Sequence, residues 1–294
     1  MSTLILLTLT GLGLGALYFL IASGLSLIFG LMDVLNFAHG ALVTAGAYAA
    51  WRLTGHLPFV VALAVATAVC AMLAAIIETV LIRPLYSRPK DQILVTVGLG
   101  LALPALVQGI WGADARQVQA PKQLTGTVGL LGAEIPTNRF VLIAAALVVL
   151  VTLRMFLAKT RYGLVVRAGV EDRAMVTALG IDVRKAFTLV FAIGGALAGL
   201  AGALGAVYFG SVSPNQGTSL LVFGFVVVVI GGLGRIDGVA AAAAAVGLIQ
   251  QFTNYYAASG LGDLAAVAIL AVVLLARGNR ESLDRIGRLI RRPA

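Results

Sequence analysis

Charge is what this sequence has least of. Only 11% of its 294 residues are Asp, Glu, Lys or Arg, against roughly a quarter in a soluble domain, which excludes an ordinary water-soluble fold. No Asp, Glu, Lys, Arg or His occurs from Met1 to Met32, whereas about 20 apolar residues suffice to cross a bilayer. A cleaved leader needs a basic start and a shorter apolar core. The first basic residue is Arg52, so the opening stretch is expected to stay and span.

The other scarcities exclude chemistry. Cys70 is the only cysteine, so no internal disulfide forms, and it reads as a small buried hydrophobe. His39 and His56 are the only histidines, and neither belongs to a cluster with metal-ligand spacing. No G-x-x-x-x-G-K-[ST] loop occurs, which excludes ATP binding by that route, and no nucleophile elbow is present. Within the apolar stretches, acids are limited to Glu78, about one turn inside Arg83, and Asp263, which opens its segment. Ion-coupled carriers ordinarily need intramembrane carboxylates or histidines. Glu78 reads better as the partner of Arg83, although sodium sites built from backbone carbonyls remain open.

What is present is apolar: 60% of the chain is hydrophobic. Charged or turn-forming breaks divide it into nine candidate segments, near Leu4–Gly30, Ala38–Trp51, Pro58–Ile82, Ile93–Trp111, Phe140–Leu157, Phe187–Phe209, Leu220–Ile230, Val239–Tyr256 and Leu264–Ala276. The runs lack the alternation of a membrane barrel. The fold class is therefore an all-α polytopic membrane protein of about eight to nine transmembrane segments, some short or broken.

The net charge of +9 is read by its sidedness rather than as a nucleic-acid footprint. Basic residues cluster at Arg83–Lys90, at Lys159–Lys185 and in the tail from Arg277 to Arg292. Counting spans puts all three on one side, the cytoplasm by the positive-inside rule. The 112–138 and 210–217 loops then face outward. The amino terminus is outside if all three early segments cross, and inside if Ala38–Trp51 is re-entrant.

Two segments are too short to span unaided at ~1.5 Å per residue: Ala38–Trp51 and Leu220–Ile230. Each adjoins a polar, glycine-bearing break. The first holds Asn36, Phe37, His39 and Gly40; the second holds Gly231, Gly232 and Gly234. Interrupted segments at corresponding places in two halves point to a transport pathway between internal repeats, and these seven residues are the pathway or helix-break candidates. In one reading Asn36 caps the helix that follows and His39 lies near the headgroups; in the other His39 touches substrate. Gly195-xxx-Gly199, Ala198-xxx-Gly202 and Ala201-xxx-Gly205 predict close helix contacts.

In the longest basic loop, Val170–Leu179 is predicted to form a short helix. Glu171 and Asp172 would stand at its amino end and Gly180 would close it. In the tail, Leu283, Ile286 and Ile290 suit an amphipathic helix on the lipid surface, with a plain basic tail as the alternative.

Three stretches occur in an order that resembles a known family: Asn36-Phe-Ala-His-Gly40 followed by Gly46-Ala-Tyr48, "RAGVEDRAMVTALGID", and "VIGGLGRIDGVAAAA". They are similar to the membrane subunit of bacterial branched-chain amino-acid ABC importers, the shorter of its two permease types. The likeness runs from about Gly11 to Ala276, the permease domain being residues 1–276 and the basic cytoplasmic tail 277–294. It implies a multi-pass inner-membrane protein without enzymatic activity or cofactor of its own. ATP and Mg would bind on two partner ATPase subunits, beside a second homologous permease, a periplasmic substrate-binding protein and membrane lipid. It also implies that the 158–186 loop supplies the coupling helix, with Arg167, Glu171, Asp172, Arg173, Leu179, Gly180 and Asp182 as ATPase contacts. Branched-chain or other hydrophobic amino acids are the implied substrates; urea, short amides, and aromatic or dicarboxylic acids remain alternatives within the family. The rival from another class is a stand-alone channel or ion-coupled carrier.

Overall fold

The computed structural model describes residues 2–32, 35–130, 132–171, 173–178, 180 and 183–290, with 122–123, 170–171, 173–174, 177, 183 and 277–290 described by backbone alone. Helix dominates because backbone amides in hydrocarbon must bond within their own segment. The first half comprises α1 (Ser2–Met32), α2 (His39–Thr54), α3 (Phe59–Ile77), α4 (Pro89–Trp111), α5 (Lys122–Thr125) and α6 (Thr137–Lys159). After it come α7 (Arg161–Glu171), α8 (Arg173–Ala178), α9 (Val183–Phe209), α10 (Gln216–Gly231), α11 (Ile236–Tyr256) and α12 (Leu261–Ile290). Strand is confined to small ladders among the described residues. β1 (Arg116–Gln117) pairs antiparallel with β4 (Ser211–Val212), and β2 (Thr127–Leu130) with β3 (Ala133–Pro136).

Among the described residues, six helical stretches are long and apolar enough to span a membrane: α1, α3 continued to Leu85, α4, α6, α9 from Arg184, and α11. The shorter apolar helices are α10 and Leu261–Ala276 of α12. With α2 they match the nine segments expected from sequence. The helix anticipated in the tail is present as the continuation of α12 to Ile290.

α1 is the central post. Every residue from Gly13 to Ile28 is buried, with α6, α9, α10 and α11 packed around it. A helix apolar on all sides is satisfied only by such surroundings. α3 shows how a membrane helix is patterned by size rather than polarity. Ala62, Ala66, Cys70, Ala74 and Ile77 form its buried face, while Val61, Val65, Val69, Met72 and Ile76 are exposed on the other. The small face meets α9, where a Cβ on Gly199 would lie 2.5 Å from the Cys70 Cβ. The predicted small-residue spacing on α9 thus serves two neighbours, since Gly202 instead abuts the Val43 carbonyl of α2. Such approach gains dispersion contacts that lipid does not replace.

At the end of α3 the backbone widens into a π-helical turn, Glu78–Ile82, then tightens through Arg83–Leu85. Pro84 lacks an amide proton, so the helix has no ordinary bond to offer there. The Glu78 carboxylate is wholly buried. It accepts from Arg83 Nη2 at 3.1 Å, from Thr188 Oγ1 at 2.7 Å and from the Tyr86 hydroxyl. The sequence pairing of Glu78 with Arg83 holds, and this carboxylate is fully engaged.

The helix contacts sort the chain into two ends. Gly169 of α7 abuts Leu31 near the end of α1, and Gly234 bonds Ser26, so the α7 and α10–α11 connections share the basic end. At the opposite end Trp51 donates to the Gln117 carbonyl, and Asn138 to that of Val207. The positive-inside rule assigns the first end to the cytoplasm, an orientation in which α1 starts outside and ends inside.

Candidate functional site

Two interruptions lie inside the helix bundle, and they mirror each other. After α1 reaches the inner end, the chain turns back into the bundle before α2 begins. Thr96 of α4 donates to the Leu35 carbonyl at 3.3 Å, and His39 Nε2 lies 3.1 Å from the Ile21 carbonyl. Ile21 stands eleven residues before the end of α1, or ~16 Å along it. α2 thus starts at mid-depth and runs outward, completing a crossing that an irregular segment begins. Non-helical backbone is tolerated at this depth only when protein surrounds it, and Asn36, Ala38 and His39 are all fully buried.

The second interruption follows α9. From Phe209 the chain turns back through β4 and Pro214, whose carbonyl accepts from Thr44 Oγ1 at 3.1 Å. α10 begins beside the first turns of α2 and runs inward. Like α2 it has 16 residues, ~24 Å. A long helix, a return to mid-depth and a half-length helix occur twice with opposite sense, the geometry of an inverted repeat. Gly40 and Gly217, each second in its helix, make the contact between them.

Asn36 and His39 therefore build the first break. Asn36 Oδ1 accepts from the Ala38 amide at 3.1 Å, and the His39 amide donates to the Asn36 carbonyl at 3.2 Å. The expected cap is not formed: Ala38 is the residue ahead of α2 and no side chain bonds the first helical amides, so Asn36 instead braces the turn that precedes the helix. The headgroup position expected for His39 does not hold either: a carbonyl only accepts, so Nε2 donates to Ile21 and ties the break to α1. Phe37 packs on Phe225 of α10, with ring centroids 5.3 Å apart. Gly231, Gly232 and Gly234 lie elsewhere, in the tight α10–α11 connection at the inner end. Gly232 and Gly234 have φ of +93° and +73°, and the Gly234 amide donates to Ser26 Oγ at 3.0 Å. The counterpart of Asn36–Gly40 is the 210–216 return, because the glycines at 231–234 serve a surface turn.

The inner end also carries α7. Thr160 Oγ1 accepts from the Gly163 amide at 2.9 Å and caps the helix. Gly163, Val166 and Gly169, three residues apart, are its buried face. This spacing starts the helix at Arg161, so Glu171 ends α7 instead of opening a helix at Val170. Arg173 opens α8, and Gly180 follows it with φ +76°. Asp172, Leu179 and Asp182 lie outside the described residues. Arg167 and Gly234 line one pocket of about 170 Å³ with Ser26, Leu27, Gly30, Leu157 and Val166.

A cavity of about 660 Å³ opens at the outer end among α1, α10, α11 and α12. Tyr18 Oη donates to Gln250 Oε1 at 2.8 Å, and Gln250 Nε2 donates to the Asp263 carboxylate. Sequence reasoning noted Asp263 only as the start of a helix and passed over Tyr18 and Gln250. The available signal was the polar run Gln250-Gln251-Phe-Thr-Asn254 inside an apolar helix. No group of His, Cys, Asp and Glu suited to a metal occurs among the described residues.

The model of the family described as "branched-chain amino acid transport system / permease component" matches residues 7–276. The high-affinity branched-chain amino acid transport system permease protein LivH of Escherichia coli K12 is 28% identical over 281 residues, covering 90% of this chain and 91% of LivH. BraD of Pseudomonas aeruginosa, a permease protein of the same description, is 28% identical over 283 residues, covering 91% of this chain and 92% of BraD. A probable LivH of Methanocaldococcus jannaschii is 27% identical over 267 residues, covering 87% of this chain and 84% of its own length. No solved structure matches the chain. The broken crossings, the apolar spans and this match over nearly the whole length carry one conclusion: the chain belongs to the permease components of branched-chain amino-acid ABC transport systems, as a multi-pass inner-membrane protein.

Proposed function

We propose that this chain is the membrane subunit of an ATP-driven importer that moves branched-chain or other hydrophobic amino acids into the cytoplasm. ATP and Mg act on two separate ATPase subunits, a second homologous permease completes the pathway, and a periplasmic binding protein delivers substrate. The observation that carries this reading is the seat of α7 across the inner end. Its glycine-bearing face packs on α6 and α1, while Arg167 stays exposed. A push on α7 reaches Leu31 through Gly169, and Ser26 of the same helix holds the Gly234 amide between α10 and α11. The inner ends of α1, α10 and α11 are therefore mechanically joined to the surface that an ATPase would grip. The Arg167–Asp182 loop is the docking element, and the breaks at Asn36–Gly40 and 210–216 are where the pathway opens and closes.

Purification of the chain with its candidate ATPases tests the reading. Replacing Glu171 and Arg173 together with alanine should weaken ATPase retention or uncouple hydrolysis from uptake. Unchanged retention, hydrolysis and uptake in the reconstituted complex would remove the loop from its assigned role.

A further inference from the structure

The outer cleft offers the reading above a substrate site. Its volume of about 660 Å³ lies in the range of small-molecule pockets, roughly 300–1,000 Å³, and its wall is chemically sorted. Asp263 of α12 is its one carboxylate, and the lining residues include no Lys, Arg or His. That carboxylate is held in place: Tyr18 and Gln250, both buried, form a relay in which the tyrosine hydroxyl fixes the amide and the amide nitrogen bonds Asp263. The first turn of α10 supplies Gln216 and Ser219, preceded by Ser213 and Asn215, as hydroxyl and amide groups beside a helix amino end. Leu14, Leu220 and Phe223 add apolar side chains to the same lining.

We propose that this cleft binds a zwitterionic amino acid with an apolar side chain. Its ammonium meets Asp263, its carboxylate meets the first turn of α10, and its side chain rests on Leu14, Leu220 and Phe223. A charge-assisted bond to a fixed carboxylate gives preference to amines over urea and neutral amides, and like charge disfavours dicarboxylic acids. The inference rests on the chain being an amino-acid permease. It adds that the permease itself holds substrate at the head of the α10 break.

The test is binding of radiolabelled L-leucine to the detergent-purified permease–ATPase complex without its binding protein, beside ATP-driven L-leucine uptake by the same preparation. Competition by 4-methylpentanoate, which keeps the carboxylate and the branched chain but lacks the amine, reads the ammonium contact. The wild-type complex should bind L-leucine saturably and ignore 4-methylpentanoate. Asp263→Asn should weaken binding about tenfold or more, the usual worth of a hydrogen bond to a charged group, and should erase the preference over the des-amino acid. Asp263→Glu should retain that preference, and Ser213→Ala should weaken binding a few-fold if Asp263→Asn does not assemble. Leucine import with no binding by the complex, or with equal binding and discrimination in Asp263→Asn, overturns the site and leaves the importer reading intact. Absence of ATP-driven import by the wild-type complex overturns both.

Discussion

Gly217 abuts Gly40 so closely that a Cβ on Gly217 would lie 2.1 Å from the Gly40 carbonyl oxygen. The two helices run in opposite directions from mid-depth and overlap only in their first turns, so this contact sets the separation of the two breaks. The obstructing atom is backbone, and no rotamer change relieves it. Gly217→Ala should therefore cost about 1–3 kcal/mol, as overpacking of a filled core does, and lower the thermal midpoint of the detergent-solubilised protein. Gly98→Ala is the control, since nothing lies within 4 Å of a Cβ there. Equal midpoints for the two variants would contradict the contact.

The buried Glu78 carboxylate depends on its donors. Removing Arg83 leaves an ion in a dry site, whereas removing both charges leaves a neutral amide among hydroxyls. Arg83→Ala should lower the thermal midpoint more than Glu78→Gln/Arg83→Ala does. Additive losses from the two single substitutions would mean that the pair is not coupled.

Cys70 is fully buried, its sulfur 3.6 Å from the Leu42 carbonyl, so the native chain should resist maleimides in intact membranes. That silence permits single introduced cysteines to report sidedness. Ser2→Cys should react with a membrane-impermeant maleimide from outside, and Arg88→Cys only after the membrane is opened. The reverse pattern would reject the broken outward crossing that ends with α2, since α1 would then begin inside.

The sequence carried the helices well and the breaks in part. Size patterning on α3 and the glycine spacing on α9 were legible because close packing in a membrane leaves few residue types able to form such faces. Asn36–Gly40 was legible for the same reason, polar side chains being costly among apolar ones. Its counterpart at 210–216 was not, because Ser211-Val-Ser-Pro-Asn215 has the composition of any surface loop and only the Thr44–Pro214 contact shows its depth. Gly231–Gly234 drew attention through composition alone, yet positive φ at two of its residues belongs to a turn. The start of α7 was misread because its buried face rests on two glycines and a valine, a stripe that hydrophobicity underweights. The relay from Tyr18 to Asp263 joins residues 232 apart and then 13 apart along the chain, and only the antiparallel packing of α1 and α11 brings it together.

The central claim is that transport through this chain draws its energy from ATP hydrolysed on other subunits. Its most direct measurement is radiolabelled L-leucine uptake into proteoliposomes holding this chain with its second permease, ATPases and binding protein, beside proteoliposomes holding this chain alone. The account predicts uptake by the complete assembly that requires ATP and survives collapse of ion gradients, with none by the chain alone. Gradient-driven uptake by the single chain, independent of ATP, would contradict it.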